Sequence, residues 1–345
     1  MPNMLHASRQ LARSIWKKTS RKLLRGALVF APEERKTRAE RWLRGREQVR
    51  RLRDADIVIV SFGKSGRTWL RVMLSRLYQV KHGLSQRDLL GFDNLNAMNR
   101  AIPKIFLTHD NYIKDYTGNV DNKSDFYGHK VVLLARDPRD VAVSQYFQWK
   151  YRMKPGKKVL NKYPGGEEVS TFDFVMDRDA GLPKIIDFMN LWASEREWLK
   201  GFFLLRFEDL RTKPEDTLRA LLEFMGTPGT DEEIREAVEF SSYENMKKME
   251  QKKTFWLSGG RMVPKDRANP NTYKVRRAKV GGYRDYIDDA QVDQIEALVN
   301  SCLLYTSDAA DDLLQVYISV VAVSIKKICV KRSCSDEEGG VGYWG

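Results

Sequence analysis

One stretch constrains the fold more than any other: Asp56-Ile57-Val58-Ile59-Val60-Ser61-Phe62-Gly63-Lys64-Ser65-Gly66-Arg67-Thr68-Trp69-Leu70. Its β-branched apolar run reads as a buried parallel strand. The run breaks at Gly63 and Gly66, then resumes as an amphipathic helix carrying Leu70, Val72, Met73, Leu74 and Leu77. A strand, a glycine-broken turn and a helix form an anion cradle, because the amides at the helix start point outward and the macrodipole favours negative charge. Lys64 adds a point charge, and Ser65 and Thr68 add donors. A nucleoside-triphosphate loop needs a glycine five positions before its Gly-Lys-Ser, and Val58 stands there, inside the strand. The loop is therefore a shorter one. Trp69 follows directly and offers a flat face to a base.

The chain has 345 residues, enough for one large domain, and a formal charge of +14. That balance points to an anionic ligand, an acidic acceptor, nucleic acid or a membrane surface. No N-terminal stretch has the apolar core of a signal peptide, and no apolar run approaches the ~20 residues that span a bilayer. The expectation is a soluble cytoplasmic protein, or one peripheral to a membrane. Much of the charge sits in residues 1–53, where 16 Lys and Arg face 4 Glu. Ala12, Ile15, Trp16, Thr19, Leu23 and Ala27 recur there at helical spacing, and a second charged helix is predicted from Pro32 to Arg53. Two readings of this basic helical extension stand open: contact with an anionic membrane, or packing on the domain with a solvated charged face.

All three cysteines, Cys302, Cys329 and Cys334, lie at the C-terminal end. Cys302-Leu303-Leu304-Tyr305-Thr306-Ser307-Asp308-Ala309-Ala310-Asp311 resembles the translated DNA of a sequencing adapter, so residues 302–345 are read as a non-native tail. Without the tail no cysteine remains for a disulfide or a thiolate metal site.

Further strands are predicted at Lys104–Thr108 and Val131–Ala135, each followed by a polar turn, and at Phe202–Leu210. His109 follows the second, where ligand sites form in open α/β sheets, and imidazole titrates near neutral pH without perturbation. Arg136 stands at the tip of the third, where a triphosphate hydrolase would often place a magnesium-holding Asp. A guanidinium there grips phosphate by paired hydrogen bonds. Ser144 lies two helical turns further on. The alternative for Arg136 is a capping network with Asp137 and Asp140. Asp110–Lys130 reads as a polar loop, Tyr146–Gly166 as a lid, and Phe172–Trp198 as helical. The repeated order of strand, turn and helix gives an α/β chain: a three-layer P-loop-type fold with a central, mainly parallel sheet.

The segment Lys64-Ser65-Gly66-Arg67-Thr68-Trp69 resembles the 5′-phosphosulfate loop of sulfotransferases that use 3′-phosphoadenosine 5′-phosphosulfate (PAPS). The family usually has Pro at position 63 and Thr or Ser at position 67, where this chain has Gly63 and Arg67. Arg136 and Ser144 resemble its 3′-phosphate motif, and Phe207-Glu208-Asp209 its Tyr-Glu-Asp strand end. The segment around Tyr243 resembles the part that packs beside adenine. Arg276-Arg277-Ala278 resembles its basic Arg-Lys-Gly loop, with Ala278 in place of Gly and Tyr283 in place of Trp. The resemblance covers about residues 54–300, giving a domain over 54–301. It implies sulfuryl transfer from PAPS to a hydroxyl or amine of a glycan, lipid or small molecule. Within it Lys64 stabilises the leaving phosphate and His109 takes the acceptor's proton. Ser65, Gly66, Arg67 and Thr68 bind the donor, Arg136, Ser144, Arg276, Arg277 and Ala278 the 3′-phosphate, and Trp69 and Tyr243 the adenine. No metal and no specific nucleic acid are implied. The rivals are a P-loop kinase or nucleotidase, and a non-enzymatic binder of polyanions.

Overall fold

The β-branched run folds as β1, Ile57–Val60, with all four residues buried. The other strands are β2 (Ile105–Thr108), β3 (Lys130–Ala135) and β4 (Gly201–Arg206). They form one all-parallel sheet in the order β2-β1-β3-β4. The structure is a computed structural model that describes residues 30–165, 168–255 and 262–303, with Thr19 and Gly26. The predicted helix over 12–27 and the tail from 304 onward lie outside the described residues. One unit extends through Val299, and of the second, which begins at Asn300, residues 300–303 are described.

The helices used below are, in chain order, α1 (Glu33–Arg53), α2 (Arg67–His82), α3 (Ile113–Thr117), α4 (Pro138–Phe147), α5 (Pro155–Leu160), α6 (Thr171–Met176), α7 (Leu182–Ser194), α8 (Pro214–Met225), α9 (Asp231–Phe240) and α10 (Tyr243–Gln251). Alternate residues of β1 point to opposite faces of the sheet. Ile57 and Ile59 pack with Leu70, Met73, Leu74 and Leu77 of α2 and with Leu218, Leu221 and Leu222 of α8. Val58 and Val60 pack on the other face with Phe106, Val131, Trp192 of α7, and Val49 and Leu52 of α1. Helices on both faces make the three layers. The predicted Pro32–Arg53 helix thus puts its few apolar residues against the sheet. Gly45 lets it approach the chain at Tyr112, where a Cβ would come within 2.2 Å of the carbonyl oxygen. Arg41 ties it to α3 through both oxygens of Asp115, at 2.8 Å each.

Three predicted segments differ in detail. The strand expected over Phe202–Leu210 ends at Arg206, and Phe207–Thr212 turns into a short helix with Glu208 and Asp209 in its first turn. Phe172–Trp198 divides into α6 and α7, because a Cβ at Gly181 would lie 2.2 Å from the Val175 carbonyl oxygen and the chain turns there. The polar stretch after Asp110 holds the short helix α3 and a tight turn at Ser124–Phe126. No helix among the described residues is long and apolar enough to cross a membrane.

Strand register positions the site. Val60 pairs with both Thr108 and Leu133, so β3 runs two residues beyond β1. Ala135 pairs with Arg206. Arg136 and Phe207 therefore stand side by side above the turn that follows β1. The strand order reverses at β1, where open α/β sheets form their ligand crevice.

Candidate active site

The turn after β1 is built for a close approach. Gly66 caps α2 at φ 93°, and a Cβ there would lie 2.6 Å from the Phe207 ring. Both facts require glycine. Lys64 adopts φ 80° without being glycine, a left-handed conformation held by its surroundings and common at functional sites. No side chain caps the start of α2 and no carboxylate sits in its first turn. Its leading amides are thus left for an anion.

Three cations converge on this turn. The Lys64 pKa falls to about 7, first through loss of water around the ammonium, then through repulsion from Arg152, Arg276 and Arg136. Arg136 lies over the Phe207 ring at 4.4 Å. Its Nη2 donates to the Lys279 carbonyl at 3.0 Å and meets Asp140 at 3.2 Å, while its buried Nε has no hydrogen-bond partner. Arg276 lies over the Phe147 ring at 3.5 Å, and its buried Nη1 has no partner either. Buried donors without acceptors are costly and rare. Two of them beside an uncapped helix start and a lysine of depressed pKa fit a ligand with more than one phosphate group.

Two carboxylates that sequence reasoning did not assign to the site hold it together. Asp140 is buried and accepts from the Gly281 and Tyr283 amides, each at 3.0 Å, as well as from Arg136. It fastens the 276–283 segment to the tip of β3. The capping network weighed for this tip also exists, since Asp137 accepts from the Arg139 amide at the start of α4. Glu250, fully buried on α10, accepts from the Lys274 and Val275 amides at 2.7–3.0 Å. It sets the direction in which Arg276 enters. Arg152, also unassigned from sequence, pairs with Glu250 at 3.5 Å and adds to the field at Lys64. Nothing in a local motif marks Glu250 or Arg152, since their partners are 24 to 120 residues away.

His109 follows β2 with Asp110, which takes φ 52°. Its Nδ1 donates to the Ser61 carbonyl at 2.7 Å. That bond fixes the neutral tautomer, with the lone pair on Nε2. Nε2 in turn accepts from Nη2 of Arg67. Burial first, and Arg67 next, hold the His109 pKa well below its usual value, so the ring stays neutral.

The turn, the two arginines and His109 open into one cavity of about 900 Å³. Lys64, Gly66, Arg67, Thr68, Trp69, His109, Arg136, Ser144, Tyr243, Arg276, Arg277 and Ala278 all line it. Ser65 is buried and does not, so its side chain is packed instead of exposed to the cavity. Trp69 meets Phe207 edge-on at 5.6 Å and its Nε1 donates to the Ser241 carbonyl, which leaves the indole anchored at the cavity wall. Tyr243 donates from its hydroxyl to the Arg276 carbonyl at 2.7 Å. Arg277 is half-exposed and paired with Asp285 at 2.6 Å. Ala278 takes φ 51°, the left-handed conformation glycine would adopt at less cost.

A model of the sulfotransferase domain matches residues 54–303. Mouse sulfotransferase 2A1 is 22% identical over 257 residues, covering 71% of this chain and 83% of its own. Cytosolic sulfotransferase 15 of Arabidopsis thaliana is 28% identical over 277 residues, covering 72% of each. Among solved structures, retinol dehydratase in a complex with retinol and PAP superposes with a TM-score of 0.51 at 17% identity, covering 74% of this chain and 82% of that one. The all-parallel sheet agrees with that fold. By the match over residues 54–303, the chain belongs to the sulfotransferase-domain family.

Proposed function

We propose that the protein transfers a sulfuryl group from PAPS to a hydroxyl or amine of its acceptor. The observation that carries this reading is the pair of unpartnered guanidinium nitrogens, on Arg136 and Arg276, beside Lys64 and an uncapped helix start. They suit a nucleotide with phosphates at both ends of its ribose, such as the PAP held by retinol dehydratase. The 3′-phosphate goes to Arg136 and Arg276, with Ser144 and Arg277 at the same wall. The 5′-phosphosulfate goes to the 63–68 turn, and the adenine lies near Trp69 and Tyr243.

In the transfer, the acceptor oxygen or nitrogen forms a bond to sulfur as the bond from sulfur to the 5′-phosphate oxygen breaks. The electron pair stays on that phosphate, and Lys64 stabilises it. The proton goes to Nε2 of His109, whose lone pair the Ser61 carbonyl has already oriented. Arg67 must first leave Nε2, because one lone pair cannot serve both partners. By analogy with phosphoryl transfer, the transition state is loose, with charge spread over the non-bridging oxygens.

The test is incubation with labelled PAPS and a panel of hydroxyl and amine compounds, read by mass analysis. Lys64→Ala and His109→Ala should each lower turnover by about two orders of magnitude. Near-normal sulfation by either variant refutes that residue's role. A thermal shift by magnesium-ATP in place of 3′,5′-adenosine bisphosphate would favour a P-loop kinase.

A further inference from the structure

The cavity carries far more positive charge than a donor nucleotide can match. Fourteen Lys and Arg line it against five Asp. Part of that excess faces the phosphates. Another part comes from α3, α5 and α7, which supply no residue of the donor site, and reaches His109 through Lys157. Three of the Asp there are already paired: Asp110 with Lys123 at 2.7 Å, Asp115 with Arg41 at 2.8 Å, and Asp187 with Arg178 at 2.5 Å. Lys114, Lys157, Lys162 and Lys184 also line this end, and none has a carboxylate within 4 Å among the described residues. Lys184 donates to the Asp179 main-chain carbonyl at 2.5 Å and lies 5.8 Å from the Tyr163 ring centre. Lys157 lies close enough to Arg67 and His109 for its charge to act on both.

Like charges crowded at a cavity wall without counterions repel one another. Such an arrangement is stabilised when an oxyanion enters. The lysines of this group show that repulsion. Loss of water and then the neighbouring Arg44 and Arg67 lower the Lys157 pKa; at Lys184 loss of water lowers it first, Asp179 and Asp177 partly offset that, and Arg41 and Lys114 add to the lowering. One helical turn along α7 from Lys184 the lining turns apolar, with Phe188 in edge contact with Phe62 at 5.5 Å and Leu191 further along the helix. On the reading of this cavity as a sulfotransferase site, we infer that its acceptor is a hydroxyl compound already carrying a negative charge, as carboxylate, sulfate or phosphate, whose oxyanion lies among Lys157, Lys184 and Lys114 while its apolar body lies on Phe62 and Phe188.

The test uses matched acceptors that differ by one charged group: a phenol and its hydroxybenzoate, an alkyl glucoside and its glucuronide, a hydroxyalkyl alcohol and its monophosphate. Each is read twice, as the rate of sulfation from PAPS and as calorimetric affinity for protein saturated with 3′,5′-adenosine bisphosphate. The anionic member of at least one pair should be preferred by about tenfold or more, and the preference should shrink as salt rises. The Lys157→Gln, Lys184→Gln double variant should lose that preference while its affinity for adenosine bisphosphate stays the same. The inference is overturned if neutral members bind or react equally well in every pair, or if the double variant keeps the preference. Failure of the underlying reading looks different: adenosine bisphosphate itself then does not bind.

Discussion

The charge of Lys64 depends on ordinary pH, so donor binding should too. With a pKa of about 7 in the ligand-free protein, the side chain is mostly neutral at pH 8. A bound phosphate restores the proton, and binding then takes up part of a proton from solution. If only the protonated form binds, apparent Kd scales inversely with the protonated fraction, and affinity for 3′,5′-adenosine bisphosphate should fall about eightfold between pH 7.5 and 8.5. The ligand's own phosphates titrate near pH 6 and are fully ionised across that window, so they cannot mimic the trend. Calorimetry in two buffers of different ionisation enthalpy should register uptake of about three-quarters of a proton at pH 7.5. Lys64→Met should bind weakly and with no slope. A flat wild-type affinity with no proton uptake would refute the placement of Lys64 against the phosphate. The stability linkage has the opposite sign. The folded pKa lies below the unfolded one, so the native state binds fewer protons between about pH 7 and 10.5. The ligand-free fold therefore gains stability as pH rises through that range, and Lys64→Met should raise Tm at pH 6.5.

Other expectations follow from particular contacts. Gly66→Ala adds about 1–2 kcal/mol of left-handed strain to the clash with Phe207 and should weaken adenosine bisphosphate binding at least tenfold; unchanged affinity speaks against the cradle. Asp140→Asn should cost about 1–3 kcal/mol of nucleotide binding by loosening the 281–283 amides, read by calorimetry, with a smaller change in acceptor KM; equal effects on both would deny it a role confined to the donor end. Arg67→Thr removes the second cause of the depressed His109 pKa, so the acid limb of the kcat/KM profile should move upward in pH; an unmoved limb means that Arg67 does not act on the base. Leu52→Ala, in a helix whose sequence looks purely electrostatic, should cost about 2–5 kcal/mol in denaturant unfolding, and a loss below 1 kcal/mol would show that α1 is peripheral to the fold.

The parts of the molecule legible in the sequence are those whose causes are local. A run of four β-branched residues cannot be solvated, so β1 was bound to lie in a sheet, and its two faces needed a layer on each side. Gly66 and Gly226 mark a helix start and a helix end because each takes a φ that other residues resist. Arg136 is readable since one strand tip can carry only one residue. Asp140 and Glu250 were not, although both are buried and decisive. Each acts on amides far along the chain, and a carboxylate that will accept two distant N–H groups looks, in sequence, like any acid on a charged helix. The same limit explains Ser65 and Arg67. A hydroxyl in an anion loop suggests contact with the anion, but Ser65 is buried and does not line the cavity. Arg67 stands where small hydroxyl residues are usual, and only the fold reveals that its reach ends on the lone pair of His109. The candidate donor site is thus encoded by residue type at strand ends, whereas the neutral state of His109 is set by contacts between two separate turns. The second kind of information exists only once β1 and β2 are side by side.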